Sequence, residues 1–170
     1  MTAGDWVYLG YVERAHGLRG RVVARLLLAG RIVPVEAGTV LRIGPGEHRV
    51  TGSRIRDSQR VTLEFEDVRS REGAEGLRGM QLHMMRSSLS PGAGLLPVHA
   101  FVGLQLRSEG FAGRVTDVEF SDLNPLLMVE GGRGTFPVPL SMVLSGDVDW
   151  DAGVISVSLP DGLEEMTVEP

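Results

Sequence analysis

Apolar and polar positions alternate with a period of two over much of this chain, and the intervals between such runs are rich in glycine and proline. Arg60 to Glu66 is the clearest case. Val61, Leu63 and Phe65 fall on one side, and Arg60, Thr62, Glu64 and Glu66 on the other, which predicts a half-buried strand. Trp6 to Val12, Arg21 to Leu28, Thr39 to Ile43 and Arg49 to Arg56 read as further strands. Gly44-Pro45-Gly46-Glu47 and Asp57-Ser58-Gln59 supply turns between them. One short helix is expected after Ser70, which can cap it. Glu72 and Glu75 favour its early turns, Gly79 can close it, and Ala74, Leu77 and Met80 would face the core. Gln81 to Arg86 returns as a strand.

The same pattern resumes later. Strands are expected over Phe101 to Arg107, Gly113 to Phe120, Leu126 to Glu130, Thr135 to Val138, Val148 to Trp150 and Val154 to Leu159. Gly131 to Gly134 reads as a hairpin turn, Pro139 to Leu144 as one helical turn and Asp151-Ala152-Gly153 as another corner. Between the two sets lies the stretch SSLSPGAGLLP, Ser87 to Pro97, whose composition is that of a linker. No internal repeat relates the halves. Many short strands with little helix predict a mainly all-β chain: two small β-barrels in series with one or two short helices. The expected domains are 1–90 and 96–165, joined by a linker at 87–95, with a polar, frayed tail.

Composition sharpens this division. With 42% hydrophobic residues in 170, each half can bury a core. The chain has no cysteine, so disulfides, thiolate metal sites and cysteine nucleophiles are excluded and a cytoplasmic location is the default expectation. No apolar run approaches the length of a membrane helix, and the first residues do not read as a secretion signal. The net charge of −5 is unevenly spread: residues 1–95 carry +4 and the remainder −9. Such polarity predicts two modules with different partners. Every basic residue is arginine, whose planar fork suits phosphates and carboxylates, although a base-composition bias explains the missing lysine as readily.

Candidate chemistry is sparse. His16, His48, His83 and His99 show no metal-ligand spacing, and no serine elbow, phosphate loop or dinucleotide fingerprint is present. No catalytic site, metal or cofactor is expected. The informative stretch is RAHGLRGRVVARLLL, Arg14 to Leu28. Gly17 and Gly20 bracket Leu18-Arg19 and permit a tight turn. If a strand starts near Arg19, then Arg19, Arg21 and Arg25 share a face with Val23 and Leu27. Arg54, Arg56 and Arg60 form a second set of equal parity. Two readings stay open: a basic surface for an RNA backbone, or a solvated face whose arginines pair with Glu13, Glu64 and Glu66.

The residues also carry a family likeness. YLGYVERAHGLRGRVVARLLL resembles the opening of the RimM ribosome maturation factors, with their His-Gly-Leu-Arg-Gly turn. RVTLEFEDVRSREGAEGLRGMQLHM is similar to the strand, helix and strand that follow in that family. FVGLQLRSEGFAGRVTDVEF and FPVPLSMVLSGDVDWDAGVISVSLPDGL resemble its PRC-barrel domain. The resemblance implies a non-catalytic, monomeric assembly factor that binds the immature small ribosomal subunit, its precursor 16S rRNA and the nineteenth small-subunit protein. The family turn maps onto His16, Gly17, Leu18, Arg19 and Gly20, an expected RNA or ribosome contact in which His16 can also simply hold the corner, and the same-parity arginines read above, Arg21, Arg25, Arg54, Arg56 and Arg60, extend that expected contact. The resemblance places the protein contact on Leu96, Pro97, Val98, His99, Phe101 and Asn124. The family's aromatic pair at the second-domain entrance is here Leu96-Pro97, and its usual Asn-Asp reads Asn124-Pro125. A leucine can fill part of a pocket but cannot stack, so that contact is expected to be weaker or placed elsewhere.

Overall fold

The computed structural model describes residues 6–89 and 95–163. They divide into two compact units, within residues 1–100 and 101–170. The first unit is built from β1 (Trp6–His16), β2 (Arg21–Leu26), β3 (Val40–Ile43), β4 (Gly46–Ile55), β5 (Arg60–Phe65), α1 (Arg71–Glu75) and β6 (Gln81–Met85). Its six strands close into a barrel in the order β1-β2-β5-β4-β3-β6. Closure depends on β1, which is long enough to pair with β2 at one end and β6 at the other. Bulges at Tyr8/Gly10 and at Val12/Arg14 bend it between the two.

Alternation drives this architecture. Val61, Leu63 and Phe65 of β5 are buried, as expected, with Leu9, Val12, Val22, Leu41, Ile43, Leu82 and Met84 from the other strands. Ala74 of α1 and Leu77 after it are also buried. Ser70 caps α1 by accepting from the Gly73 N–H at 3.1 Å. Residues 95–100 hydrogen-bond onto the first unit. Leu28 bridges Pro97, the Val98 N–H donates to the Leu27 carbonyl, and the Ala29 N–H to the Leu96 carbonyl. Leu96 to His99, read above as an entrance to the second module, therefore belong to the first compact unit. The middle of the expected linker lies outside the described residues.

The second unit contains β7 (Gln105–Ser108), β8 (Phe111–Glu119), β9 (Leu126–Gly131), β10 (Gly134–Pro139), α2 (Leu140–Leu144), β11 (Asp147–Asp149) and β12 (Val154–Ser156). Its sheet has the order β10-β9-β8-β7-β12-β11, with β7 and β12 parallel. Among the described residues the ladder ends at β10 and β11. Leu106, Val115, Leu127, Val129, Phe136, Val138, Val143 and Ile155 form its buried side. One expected strand is corrected. Val98–Phe101 is a 3-10 turn, and extended structure begins only at Gln105. The Leu104 N–H closes back onto the Phe101 carbonyl at 3.2 Å, so this apolar run packs as a turn. A short apolar run has no period with which to distinguish the two. No helix among the described residues is long and apolar enough to cross a membrane.

Candidate nucleic-acid interface

The outer face of β1-β2-β5-β4 collects the basic side chains. Strand register arranges them in rows across the sheet. His16 lies beside Arg21 on β2, Arg21 beside Glu64 on β5, and Glu64 beside Gly52 on β4. The next row is Arg14, Val23, Thr62 and Arg54. A third holds Tyr11, Arg25 and Arg60, with Arg56 bonded to the Arg60 carbonyl through its backbone N–H at 2.9 Å. Val23 and Thr62 are buried although they face outward, as expected beneath the long arginine stems around them. A groove of about 330 Å³ runs here, lined by His16, Arg21, Ser53, Arg54, Arg56 and Glu64, with Gly52 and Thr62 in its floor.

Part of this charge is already used. Arg21 Nε meets Glu64 Oε1 at 2.6 Å, and Arg60 Nε meets Glu13 Oε2 at 2.8 Å and reaches Asp57 through Nη1 at 3.3 Å. Arg49 pairs with Glu66 at 3.7 Å. The expected pairings with Glu13 and Glu64 thus occur, whereas Glu66 pairs with Arg49, outside the two arginine sets. Arg14, Arg19, Arg54 and Arg56 are exposed and make no ion pair among the described residues, and the Arg56 side chain donates from Nη1 to the Thr62 hydroxyl at 3.2 Å. Arg21 and Arg60 are thus internally neutralised, while the guanidinium groups of Arg14, Arg19, Arg54 and Arg56 make no ion pair among the described residues.

The loop between β4 and β5 fixes one corner of the face. The Asp57 carboxylate accepts from the backbone N–H groups of Gln59 and Arg60, both at 2.9 Å, and from the Arg60 guanidinium. These bonds, that to Gln59 foremost, hold its pKa below the ordinary aspartate value. Arg60 is raised in turn, chiefly by its bond to Glu13. A depressed carboxylate stabilises the fold above its unfolded pKa, and that contribution disappears as pH falls through the folded value. Asp57→Asn is therefore expected to lower the melting temperature slightly at neutral pH and to leave it unchanged once the pH falls below the depressed folded-state pKa, where Asp57 is itself protonated. Melting curves recorded across this range provide the check.

The opening turn departs from one expectation. β2 starts at Arg21, so Arg19 is not a strand residue sharing a face with Arg25; it sits at the tip of a turn over residues 17–20. Arg14 escaped sequence reasoning altogether. The two bulges in β1 switch which parity points inward, from Val7 and Leu9 to Val12 and then to Ala15, and a strict period of two cannot follow that.

The second group of candidates does not form one exposed patch. Pro97, Val98 and Phe101 are buried, and the Phe101 ring lies 5.1 Å from that of Trp150. Their side chains pack inside the protein. Leu96 and His99 are half-buried, the His99 ring 4.8 Å from Tyr8, and Asn124 is exposed. The described residues contain no group of three or more ligands suited to a metal ion.

Comparison with known proteins adds a lineage to this geometry. Residues 7–89 match the model of the RimM N-terminal domain. A ribosome maturation factor RimM from Sphingopyxis alaskensis is 33% identical, the match covering 93% of this chain and 97% of that protein. A protein of the same name from Corynebacterium efficiens is 28% identical over 93% of this chain and 96% of its own. The crystal structure of a Pseudomonas aeruginosa chain assigned as a 16S ribosomal RNA processing protein RimM aligns over 92% of this chain and 98% of its own, at 21% identity and a TM-score of 0.39.

Proposed function

The chain belongs to the RimM family of ribosome maturation factors, and from that premise we propose that it binds the immature small ribosomal subunit and assists processing of its 16S rRNA without making or breaking bonds itself. The observation that carries this reading is the set of open guanidinium groups, Arg14, Arg19, Arg54 and Arg56, on and beside one groove of a closed barrel. Guanidinium forks bind phosphates in two-point geometry, and such contacts place a protein on RNA without reading its sequence. The first unit thereby holds a segment of the rRNA precursor.

The second unit, read as the PRC barrel and rich in aspartate and glutamate, takes the complementary role of docking a basic head protein of the subunit, the nineteenth. Charge complementarity there speeds encounter and fixes orientation more than it adds affinity. Binding the unfinished form alone shifts head folding toward the productive arrangement. Such work suits a cytoplasmic monomer.

Association of the full chain with immature subunits should weaken steeply with salt. Four phosphate contacts give a log–log slope of about −3. A slope near zero, together with binding that survives nuclease digestion of the RNA, would instead favour an adaptor that touches ribosomal protein only.

A further inference from the structure

The tip of the β1–β2 turn places an apolar side chain where none is needed for folding. Leu18 is 78% exposed, yet the turn that carries it is held firmly. His16 and Arg21 pair across its base. Arg71 Nη1 donates to the Gly17 carbonyl at 3.2 Å, and Gly20 is buried against the Val68–Arg69 backbone. Arg19 stands beside Leu18, exposed and without an ion pair among the described residues. The groove begins where the turn ends, since His16 and Arg21 line both.

We propose that Leu18 is an apolar wedge that packs against an unstacked base, so that this face prefers RNA bearing an unpaired nucleotide over a closed duplex. The inference rests on the phosphate-facing reading of the groove and deepens it. An exposed leucine on a firmly held turn, next to Arg19 and at the end of an arginine-lined groove, suits a polyanion that also offers flat apolar surfaces. Nucleic acid has both: phosphates for Arg19 and the groove, and base faces for Leu18. In a paired A-form helix those faces are stacked away, and side chains reach bases only at bulges, loops and ends. Apolar side chains inserted at base steps work in this way in other nucleic-acid complexes. Immature rRNA is rich in such unpaired positions, which gives the wedge a means of favouring the unfinished form.

The test uses the full chain and two RNA hairpins with identical stems, one bearing a single 2-aminopurine bulge and the other fully paired. The wild-type protein should bind the bulged probe about tenfold more tightly, the order expected for burying one leucine side chain, with a change in 2-aminopurine fluorescence. Leu18→Ala should abolish both the preference and the fluorescence change while leaving affinity for the paired probe and thermal unfolding unaltered. Leu18→Met should keep most of the preference. A Leu18→Ala protein that retains the preference overturns the wedge. Equal, salt-sensitive binding of both probes by the wild type also overturns it but leaves the phosphate reading standing. Binding of neither probe removes both.

Discussion

Gly20→Ala should lower the stability of the first unit by about 3–4 kcal/mol, whereas Gly17→Ala, three residues earlier in the same turn, should cost about 1 kcal/mol. Both glycines have positive φ, +87° at Gly20 and +69° at Gly17, so both substitutions incur left-handed strain. Their surroundings differ. A Cβ on Gly17 meets nothing within 4 Å. A Cβ on Gly20 would overlap the Val68 carbonyl and crowd the Arg69 nitrogen, both backbone atoms that no rotamer change can move aside. The loop leading into α1 would have to shift, and Val68, Ala74 and Leu77 are buried in the barrel core it covers. Urea denaturation of the two variants measures the difference directly. Equal losses would mean that the Val68–Arg69 segment yields freely and that Gly20 serves only its own dihedral angles. The contrast separates two roles within one motif, because Gly20 acts on folding while Leu18 and Arg19, exposed at the tip, are free to act on a partner.

How much of this was legible in advance depended on whether a residue's role follows from local pattern. β5 was readable because nothing interrupts its alternation, and Ser70 because capping is a local bond. The Gly132-Arg133 hairpin and the helical turn after Pro139 were likewise local. Pairing of β1 with β6 is a long-range event, and the two bulges that permit it leave no mark in the sequence beyond a broken period. The same breaks concealed Arg14. Charge state was the other blind spot. Arg21 and Arg54 look alike in sequence, yet register sets Arg21 beside Glu64 and Arg54 beside Thr62. Only the sheet decides which guanidinium is spent on a neighbour. Burial decided the second group: Val98 and Phe101 are apolar residues next to a presumed linker, where exposure and packing are equally consistent with composition, and the structure packs both.

Charge reversal at the open end of the groove follows from this distinction. Arg54→Glu combined with Arg56→Glu should weaken association with immature subunits about a hundredfold near physiological salt, the loss of two charge-assisted contacts at about 1.5 kcal/mol each. The magnitude of the salt slope should fall by about 1.5 at the same time, as two phosphates cease to be neutralised. Both residues are exposed and neither holds an ion pair among the described residues, so unfolding should change little. Arg107→Glu with Arg133→Glu is the matched comparison. It alters net charge identically, also at exposed arginines without an ion pair among the described residues, but in the second unit and outside the groove. If the overall field of the protein governed binding, the two double variants would weaken it alike. If placed phosphate contacts govern it, only the first should. A paired arginine gives an intermediate case: Arg21→Glu both removes a cation and leaves Glu64 facing a second carboxylate, so its effect should include a stability loss that the Arg54 and Arg56 pair does not show. Co-sedimentation of all three variants at matched salt, read beside their melting curves, distinguishes a cation presented to RNA from one committed to the barrel.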